Sequence, residues 1–229
     1  MNTQRRQART AGLIYLVVAI TGIISVMVIP ARYSVSGDAA ATLANIAAMD
    51  TLFRLGIAIN VLSSLAFLVL PLALHRLLAP VDRELAAAMV VFVAVGATIG
   101  LVSAVFKLNV LAVMGGAPYL DPLTSGQRAA QAMLSLRAYT NLNVVAELFW
   151  GVWLLPFGLL VYRSGFLPRV LGGLLVAGSF GYAIDALGRI ISPVYASSTL
   201  ALLVPAPAHV GEIGTLLWLI IVGTTRRRA

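Results

Sequence analysis

The sequence predicts an all-α membrane protein, a bundle of about six transmembrane helices with both termini in the cytoplasm. Of its 229 residues, 60% are apolar and only 10% are charged, whereas about 25% of the residues of a soluble globular domain are charged. The apolar residues are gathered into stretches long enough to cross a hydrocarbon core about 30 Å thick. We therefore predict a single integral membrane domain over residues 1–229.

Each predicted span is predominantly apolar and long enough for a transmembrane helix, at a rise of about 1.5 Å per residue. In chain order, the spans are 10–29, 52–74, 85–114, 142–162, 170–191 and 209–224. The first follows a basic flank, as a signal core does, but it is too long for one and ends without a small-x-small cleavage site. We expect it to be retained as the first helix. The sixth is the shortest and contains Glu212.

The arginines at the ends of these spans set the orientation, because cytoplasmic loops carry an excess of Lys and Arg. With both termini inside, the cytoplasmic basic residues are Arg5, Arg6, Arg9, Arg76, Arg83, Arg163, Arg169, Arg226, Arg227 and Arg228. The outer side and the outer helix ends then hold Arg32, Arg54, Lys107, Arg128, Arg137 and Arg189. We expect the protein in the inner (plasma) membrane of a bacterium.

Two of the three outer connections are expected to contain helix. Asp38 precedes a helical stretch at 39–49, and Thr124 and Gln127 have the spacing of a capping box before the stretch 128–139. We expect these stretches to be short interfacial helices or extensions of the neighbouring spans.

Prolines predict where helices are kinked or absent. Pro156 lies inside the fourth span and should kink it, and Pro71 should act in the same way on the second. The third outer connection, 192–208, contains Pro193, Pro205 and Pro207. We therefore do not expect a regular helix there.

Ionisable side chains lie within or at the edges of the predicted spans, all in the outer half of their helices. They are Arg54, Lys107, Glu147, Asp185, Arg189 and Glu212, and their nominal charges cancel. A charge near the bilayer centre costs at least about 2.5 kcal/mol, so such groups usually face a bundle interior or a wet cavity and pair there. Asp185 and Arg189 are four residues apart on one helical face, which Tyr182 shares.

We predict that five of these residues line a polar cavity open to the outside: Lys107, Glu147, Asp185, Arg189 and Glu212. Such a cavity would bind or transport a small polar ligand or a lipid headgroup. Six helices are few for a carrier, so transport would require a homo-oligomer or a membrane partner protein. The alternative is a non-catalytic membrane scaffold or regulatory subunit whose charges only fix helix packing. A third alternative is a lipid-acting enzyme that uses a carboxylate as acid or base.

The sequence contains no signature of a cofactor, a metal site or a known catalytic centre. It has no cysteine and only two histidines, so neither a cysteine-ligated metal nor a bis-histidine haem pair is expected. Ser179 with His209 is the nearest approach to an intramembrane serine protease, but Gly178-Ser179-Phe180-Gly181 departs from the required motif. The net charge of +8 has no basic stripe with interleaved aromatics, so no nucleic-acid partner is predicted.

Three stretches are distinctive in sequence: AGLIYL at 11–16, GDAAAT at 37–42 and LVYRSGFLPRVLG at 160–172. They resemble the uncharacterised prokaryotic multi-pass membrane family called domain of unknown function 4386. Weaker similarity extends to the last span. The resemblance implies a multi-pass membrane protein of unassigned activity, with Arg54, Asp185 and Glu212 in segments typical of the family. It implies no enzyme, substrate or cofactor.

Overall fold

A computed structural model describes residues 3–225, and every regular element in that range is helical. The α-helices are α1 (Thr3–Ile23), α2 (Pro30–Tyr33), α3 (Ala39–Ala48), α4 (Asp50–Leu78), α5 (Arg83–Met114), α6 (Ser125–Val152), α7 (Leu154–Arg163), α8 (Arg169–Ile191), α9 (Leu200–Leu203) and α10 (Ala206–Ile221). A π-helical segment at Ile24–Val28 joins α1 to α2. The prediction of an all-α fold is confirmed. The predicted cytoplasmic arginines 226–228 lie outside the described residues.

Within residues 3–225, six helical segments are long and apolar enough to cross a membrane. They are Thr3–Tyr33, Asp50–Leu78, Arg83–Met114, Ser125–Arg163, Arg169–Ile191 and Leu200–Ile221. Each exposes large apolar side chains, for example Leu13, Leu62, Val105, Leu134, Ile184 and Leu217. Extended apolar surfaces of this kind suit contact with lipid acyl chains. The protein is therefore a multi-pass membrane protein, with the six spans that the sequence predicts.

The helices that follow Asp38 and Thr124 begin at the predicted capping residues. Asp38 Oδ1 accepts a hydrogen bond from the backbone N–H of Ala41 at 2.8 Å. At the start of α6, the Thr124 N–H donates to Gln127 Oε1 at 2.9 Å, and the Gln127 N–H donates to Thr124 Oγ1 at 3.3 Å. This reciprocal pair is a capping box. Because α6 continues without a break, the stretch 128–139 is an extension of the fourth span.

The two intrahelical prolines have different effects. The fourth span is interrupted at Trp153, between α6 and α7, next to the Val152 carbonyl that Pro156 leaves without its usual helical donor. In contrast, α4 runs through Pro71 without a break. A break in the helix thus accompanies Pro156, and the predicted kink at Pro71 stays a prediction.

The connection at 192–208 contains more helix than the sequence predicts. A 3₁₀ turn forms at Tyr195–Ser197, followed by α9, and α10 begins at Ala206 rather than near residue 209. The expectation of an irregular connection over 192–208 is therefore wrong at its C-terminal end. Pro205 and Pro207 stand at the start of α10, where a missing N–H removes no helical hydrogen bond.

The helices form two compact units. The first unit comprises residues 3–18, 66–97 and 144–225, and the second comprises Ala19–Leu65 and Thr98–Asn143. In the second unit, Tyr33 packs edge-on against Phe53, with ring centroids 5.3 Å apart, inside a core that also contains Ile46 and Val110. The single domain inferred from the sequence stays a prediction.

Contacts in the first unit bring several helix ends together at one end. Arg5 Nε donates to the backbone carbonyl of Val222, just after α10, at 3.2 Å. Thr225 Oγ1 donates to a carbonyl of the loop between α7 and α8 at 3.1 Å. Arg163 Nη1 lies 3.3 Å from Asp82 Oδ2, in the loop between α4 and α5. We call this the basic end, because it carries Arg5, Arg6, Arg76, Arg83, Arg163 and Arg169.

Glycines allow α8 to pack closely against α7 and α10. A Cβ added at Gly172 would lie 2.7 Å from the Gly158 carbonyl oxygen, and one added at Gly178 would overlap the backbone of Ala208. Small residues are typical of such close helix contacts in membranes. Gly172 and Gly178 thus lie in close helix contacts, whereas a Cβ at Gly173 would meet nothing within 4 Å.

Exchanging glycine for alanine on α8 should distinguish the close helix contact at Gly178 from the open surface at Gly173. We expect Gly178→Ala to lower the free energy of unfolding by about 1–3 kcal/mol, because the new methyl group overpacks the contact with Ala208. Gly173→Ala is the matched control and should leave stability unchanged or slightly raised, since alanine favours the helix. Thermal unfolding in detergent micelles measures both variants. Equal melting temperatures of the two variants would contradict the close contact between Gly178 and Ala208.

Candidate functional site

Glu212 on α10 is held by two tyrosines in the interior of the first unit. Tyr15 Oη donates a hydrogen bond to Glu212 Oε1 at 2.7 Å, and Tyr182 Oη donates to Oε2 at 3.0 Å. Tyr15 belongs to α1 and is only 4% exposed, and Tyr182 belongs to α8. The carboxyl group therefore links three helices through phenol hydroxyls.

Aromatic packing fixes the positions of both tyrosines. The Tyr15 ring meets Trp153 edge-on at a centroid distance of 6.1 Å, and Trp153 is stacked on Phe157 at 5.1 Å. Tyr182 meets the exposed His209 edge-on at 5.7 Å. These edge-to-face and stacked contacts are favourable arrangements of aromatic rings. Neither tyrosine can turn away from Glu212 without disturbing such a contact.

The second part of the site is the ion pair on α8. Arg189 Nε donates to Asp185 Oδ2 at 2.6 Å, as the four-residue spacing predicts. The Asp185 side chain is 1% exposed and that of Arg189 is 35% exposed. The other oxygen, Asp185 Oδ1, is buried and has no hydrogen-bond donor. Such an unsatisfied acceptor costs about 1–3 kcal/mol in a protein interior.

Glu147 and Tyr195 approach this ion pair from outside α8. The Glu147 carboxyl group, near the end of α6, interacts electrostatically with Asp185 and Arg189. Tyr195 follows α8, and its ring covers Gly188, where an added Cβ would lie 2.7 Å from a ring carbon. Burial raises the pKa of the Tyr195 hydroxyl, and the neighbouring Asp185 carboxylate raises that pKa further. We call Glu147, Asp185, Arg189 and Glu212 the acidic cluster.

The charges of the acidic cluster do not cancel. Three carboxyl groups and one guanidinium give a formal charge of −3 + 1 = −2 when all are ionised. The six ionisable residues of the predicted spans have no net charge only when Arg54 and Lys107 are counted, and both belong to the second unit. The acidic cluster therefore offers an environment that favours a positive charge or a proton.

Lys107 belongs to the second unit. Its side chain is 1% exposed, and Nζ lies 3.8 Å from the centre of the Tyr139 ring. An aromatic face stabilises a desolvated ammonium group by about 2 kcal/mol. The acidic residues of the second unit are engaged elsewhere: Asp38 caps α3, Asp50 pairs with Arg54 at 2.7 Å, and Asp121 pairs with Arg128 at 3.6 Å.

The structure also contains features that the sequence did not single out. Tyr15 and Tyr195 join the site from segments distant in sequence, although a tyrosine in an apolar helix is itself a signal, because its buried hydroxyl needs a partner. A cavity of about 340 Å³ in the second unit is lined by Asn109, Gln131, Ser135 and apolar side chains. Within residues 3–225, no group of three or more His, Cys, Asp or Glu side chains could hold a metal ion.

Comparison with known proteins supports the predicted resemblance. A sequence model of the family described as "Domain of unknown function (DUF4386)" matches residues 10–223. An uncharacterized protein of Archaeoglobus fulgidus is 34% identical over 88 residues, which are 38% of this chain and 50% of that protein. The match thus spans half the length of that relative. No solved structure matches the chain.

Removing one hydroxyl should show how far Glu212 depends on its tyrosines. We expect Tyr15→Phe to destabilise the protein by about 1–3 kcal/mol, because Glu212 loses one donor while the ring packing is kept. Tyr162→Phe removes the hydroxyl of a tyrosine that is 50% exposed, and it should unfold as the wild type does. Thermal unfolding in lipid nanodiscs measures the difference. Identical melting of the two variants would refute the stabilising role of this hydrogen bond.

Proposed function

The chain belongs to the DUF4386 family, and from that premise we propose that it binds a small polar ligand in the acidic cluster and moves it across or within the membrane. The observation that carries this proposal is Asp185 Oδ1, a buried carboxylate oxygen without a donor. A ligand that donates a hydrogen bond there would relieve the desolvation of this atom. The proposal covers four of the residues predicted from the sequence and leaves Lys107 aside.

The charge of the acidic cluster favours a ligand with a protonated amine. Asp185 and Glu147 would both accept hydrogen bonds from an ammonium group, and its positive charge would offset their negative charges. The ethanolamine headgroup of a lipid and a free amine in solution share this chemistry. Both sources therefore belong in the test.

The depth of the cluster follows from the basic end. Asp185 stands 16 residues after Arg169 on α8, which is about 24 Å along the helix axis. The arginines of the basic end support a cytoplasmic location for that end. We propose that both termini are cytoplasmic, that the protein resides in the plasma membrane, and that the acidic cluster lies in the outer half of the bilayer.

A second candidate function is that of a scaffold or regulatory subunit, in which the cluster serves packing alone. It is favoured by the direct Asp185–Arg189 contact at 2.6 Å and by the two hydroxyls that satisfy Glu212. Such contacts tie α1, α8 and α10 together whether or not a ligand binds. The two candidates differ in whether an added ligand changes the stability of the protein.

Ligand-dependent melting separates these candidates. In nanodiscs of phosphatidylglycerol, which has no amine, we expect added ethanolamine to raise the melting temperature of the wild type, since a ligand bound only to the folded state stabilises it. Asp185→Asn should abolish the rise, and the exposed Glu84→Gln should keep it. A rise on adding phosphatidylethanolamine but not free ethanolamine would identify the lipid as the source. No rise with either, or an equal rise in Asp185→Asn, would rule out this site.

Single cysteines test the proposed orientation, because the chain has none of its own. In intact cells, a membrane-impermeant maleimide should label Gly126→Cys, in the first turn of α6 at its proposed outer end, without prior permeabilisation. It should label Glu84→Cys, at the basic end, only after the cells are permeabilised. The reverse pattern would show that the basic end faces outward.

A further inference from the structure

Lys107 is a buried cation that takes no part in the acidic cluster. It is 1% exposed, and its Nζ lies 3.8 Å from the centre of the Tyr139 ring. Among residues 3–225, no carboxylate lies within ion-pairing distance of Lys107. An aromatic face attracts an ammonium group but carries no net charge. The positive charge of Lys107 therefore has no negative partner in the described part of the chain.

The second unit has too few acidic side chains to provide that partner. Its basic residues are Arg32, Arg54, Lys107, Arg128 and Arg137, and its acidic residues are Asp38, Asp50 and Asp121. Five basic minus three acidic side chains leave a formal charge of +2. All three carboxylates have other contacts, as the cap of α3 or as partners of arginines. A negative charge at Lys107 would have to come from a bound ligand.

The hydroxyl of Tyr139 also lacks a partner. Tyr139 is 7% exposed, and its Oη is buried without a hydrogen bond. An ammonium group can only donate hydrogen bonds, and a phenol hydroxyl has one to donate. The other unpaired side-chain oxygen buried in the described second unit is Asn60 Oδ1, an acceptor that carries no charge. The two groups at the Tyr139 ring are thus suited to a ligand that is both an acceptor and an anion.

The cavity of the second unit adjoins this pair. Its volume is about 340 Å³, and Gln131 and Ser135 line it from α6. Ser135 and Tyr139 are four residues apart, so they share one face of the helix, with their Cβ atoms about 5–6 Å apart. Side chains on a helix lean toward its N-terminus, which directs Tyr139 toward Ser135. The cavity therefore reaches to within about one helical turn of the unpaired hydroxyl.

The length of α5 brings Lys107 near the level of lipid headgroups. With 32 residues, α5 is about 48 Å long, whereas the hydrocarbon core is about 30 Å thick. If the excess is divided between the two ends, about 9 Å of helix extends beyond the core at each. Lys107 precedes the last residue of α5, Met114, by seven positions, or about 10 Å. Lys107 then lies close to the boundary of the core, beneath the lipid phosphates.

We propose that Lys107 and Tyr139 bind a phosphate group that enters through the cavity beside Ser135. The ammonium group and the phenol hydroxyl donate to the phosphate oxygens, and the negative charge of the phosphate neutralises the buried cation. Lysine is a common ligand of phosphate in proteins. A phospholipid headgroup and a free phosphate ion share this chemistry. The site belongs to the second unit alone, so it does not depend on the amine ligand proposed for the acidic cluster.

Melting in dodecyl maltoside, a detergent without phosphate, tests the site. Inorganic phosphate, compared with chloride at equal ionic strength, should raise the melting temperature of the delipidated wild type. Lys107→Gln should lose this rise, and Arg137→Gln, which removes an exposed positive charge from α6, should keep it. A rise with phosphatidylglycerol but not with inorganic phosphate would identify the lipid as the source. Phosphate also stabilises proteins without binding them, so an equal rise in Lys107→Gln would overturn the proposal, as would no rise with either probe.

Tyr139→Phe keeps the test valid if Lys107→Gln does not fold. This variant retains the aromatic face beside the ammonium group and removes only the unpaired hydroxyl. We expect the half-saturating concentration of the effective probe to rise about tenfold, because one hydrogen bond to a charged group is lost. Tyr162→Phe, in the first unit, should leave that concentration unchanged. If Tyr139→Phe also leaves it unchanged, the hydroxyl does not bind the phosphate and the proposed site is wrong.

Discussion

The hydrogen bonds that Tyr15 and Tyr182 donate to Glu212 show the constraint on which the first unit depends. In hydrocarbon no water satisfies a polar group, so each one must find its partner inside the protein. Glu212 accepts its hydrogen bonds from α1 and α8, and Asp185 accepts one from Arg189 within α8. The polar contacts thus determine which helices meet at this depth, and the glycines of α8 determine how closely α7 and α10 approach it.

The two units stabilise their buried ionisable side chains by different contacts. The first pairs its buried carboxyl groups with hydroxyls and a guanidinium, whereas the second places the ammonium of Lys107 on the face of Tyr139. An aromatic face attracts a cation without being charged itself. Taken separately, one unit therefore favours additional positive charge and the other already contains a buried cation. This asymmetry is the reason for assigning binding of the amine to the first unit.

Much of the fold could be predicted because hydropathy and capping act locally. The six spans, the capping box at Thr124 and the pairing of Asp185 with Arg189 depend on residues close in sequence. The sequence does not predict the early start of α10, because prolines usually break helices, although the first turn of a helix accepts them. The sequence does not predict that Tyr15 and Tyr195 join the site, because partners from distant segments leave no local pattern. The division into two units, with Lys107 in one and the acidic cluster in the other, is likewise a tertiary property.

The aromatic packing around Tyr15 also gives the protein an optical property. Trp153 is 1% exposed, and its indole ring lies 6.1 Å from the phenol that holds Glu212. The emission of an indole responds to the polarity and the charges around it. A rearrangement of the hydrogen bonds at Glu212 that displaces Tyr15 will therefore alter the environment of a buried fluorophore. The chain contains its own spectroscopic reporter beside the cluster, at a position where no external dye could be attached without disrupting the packing.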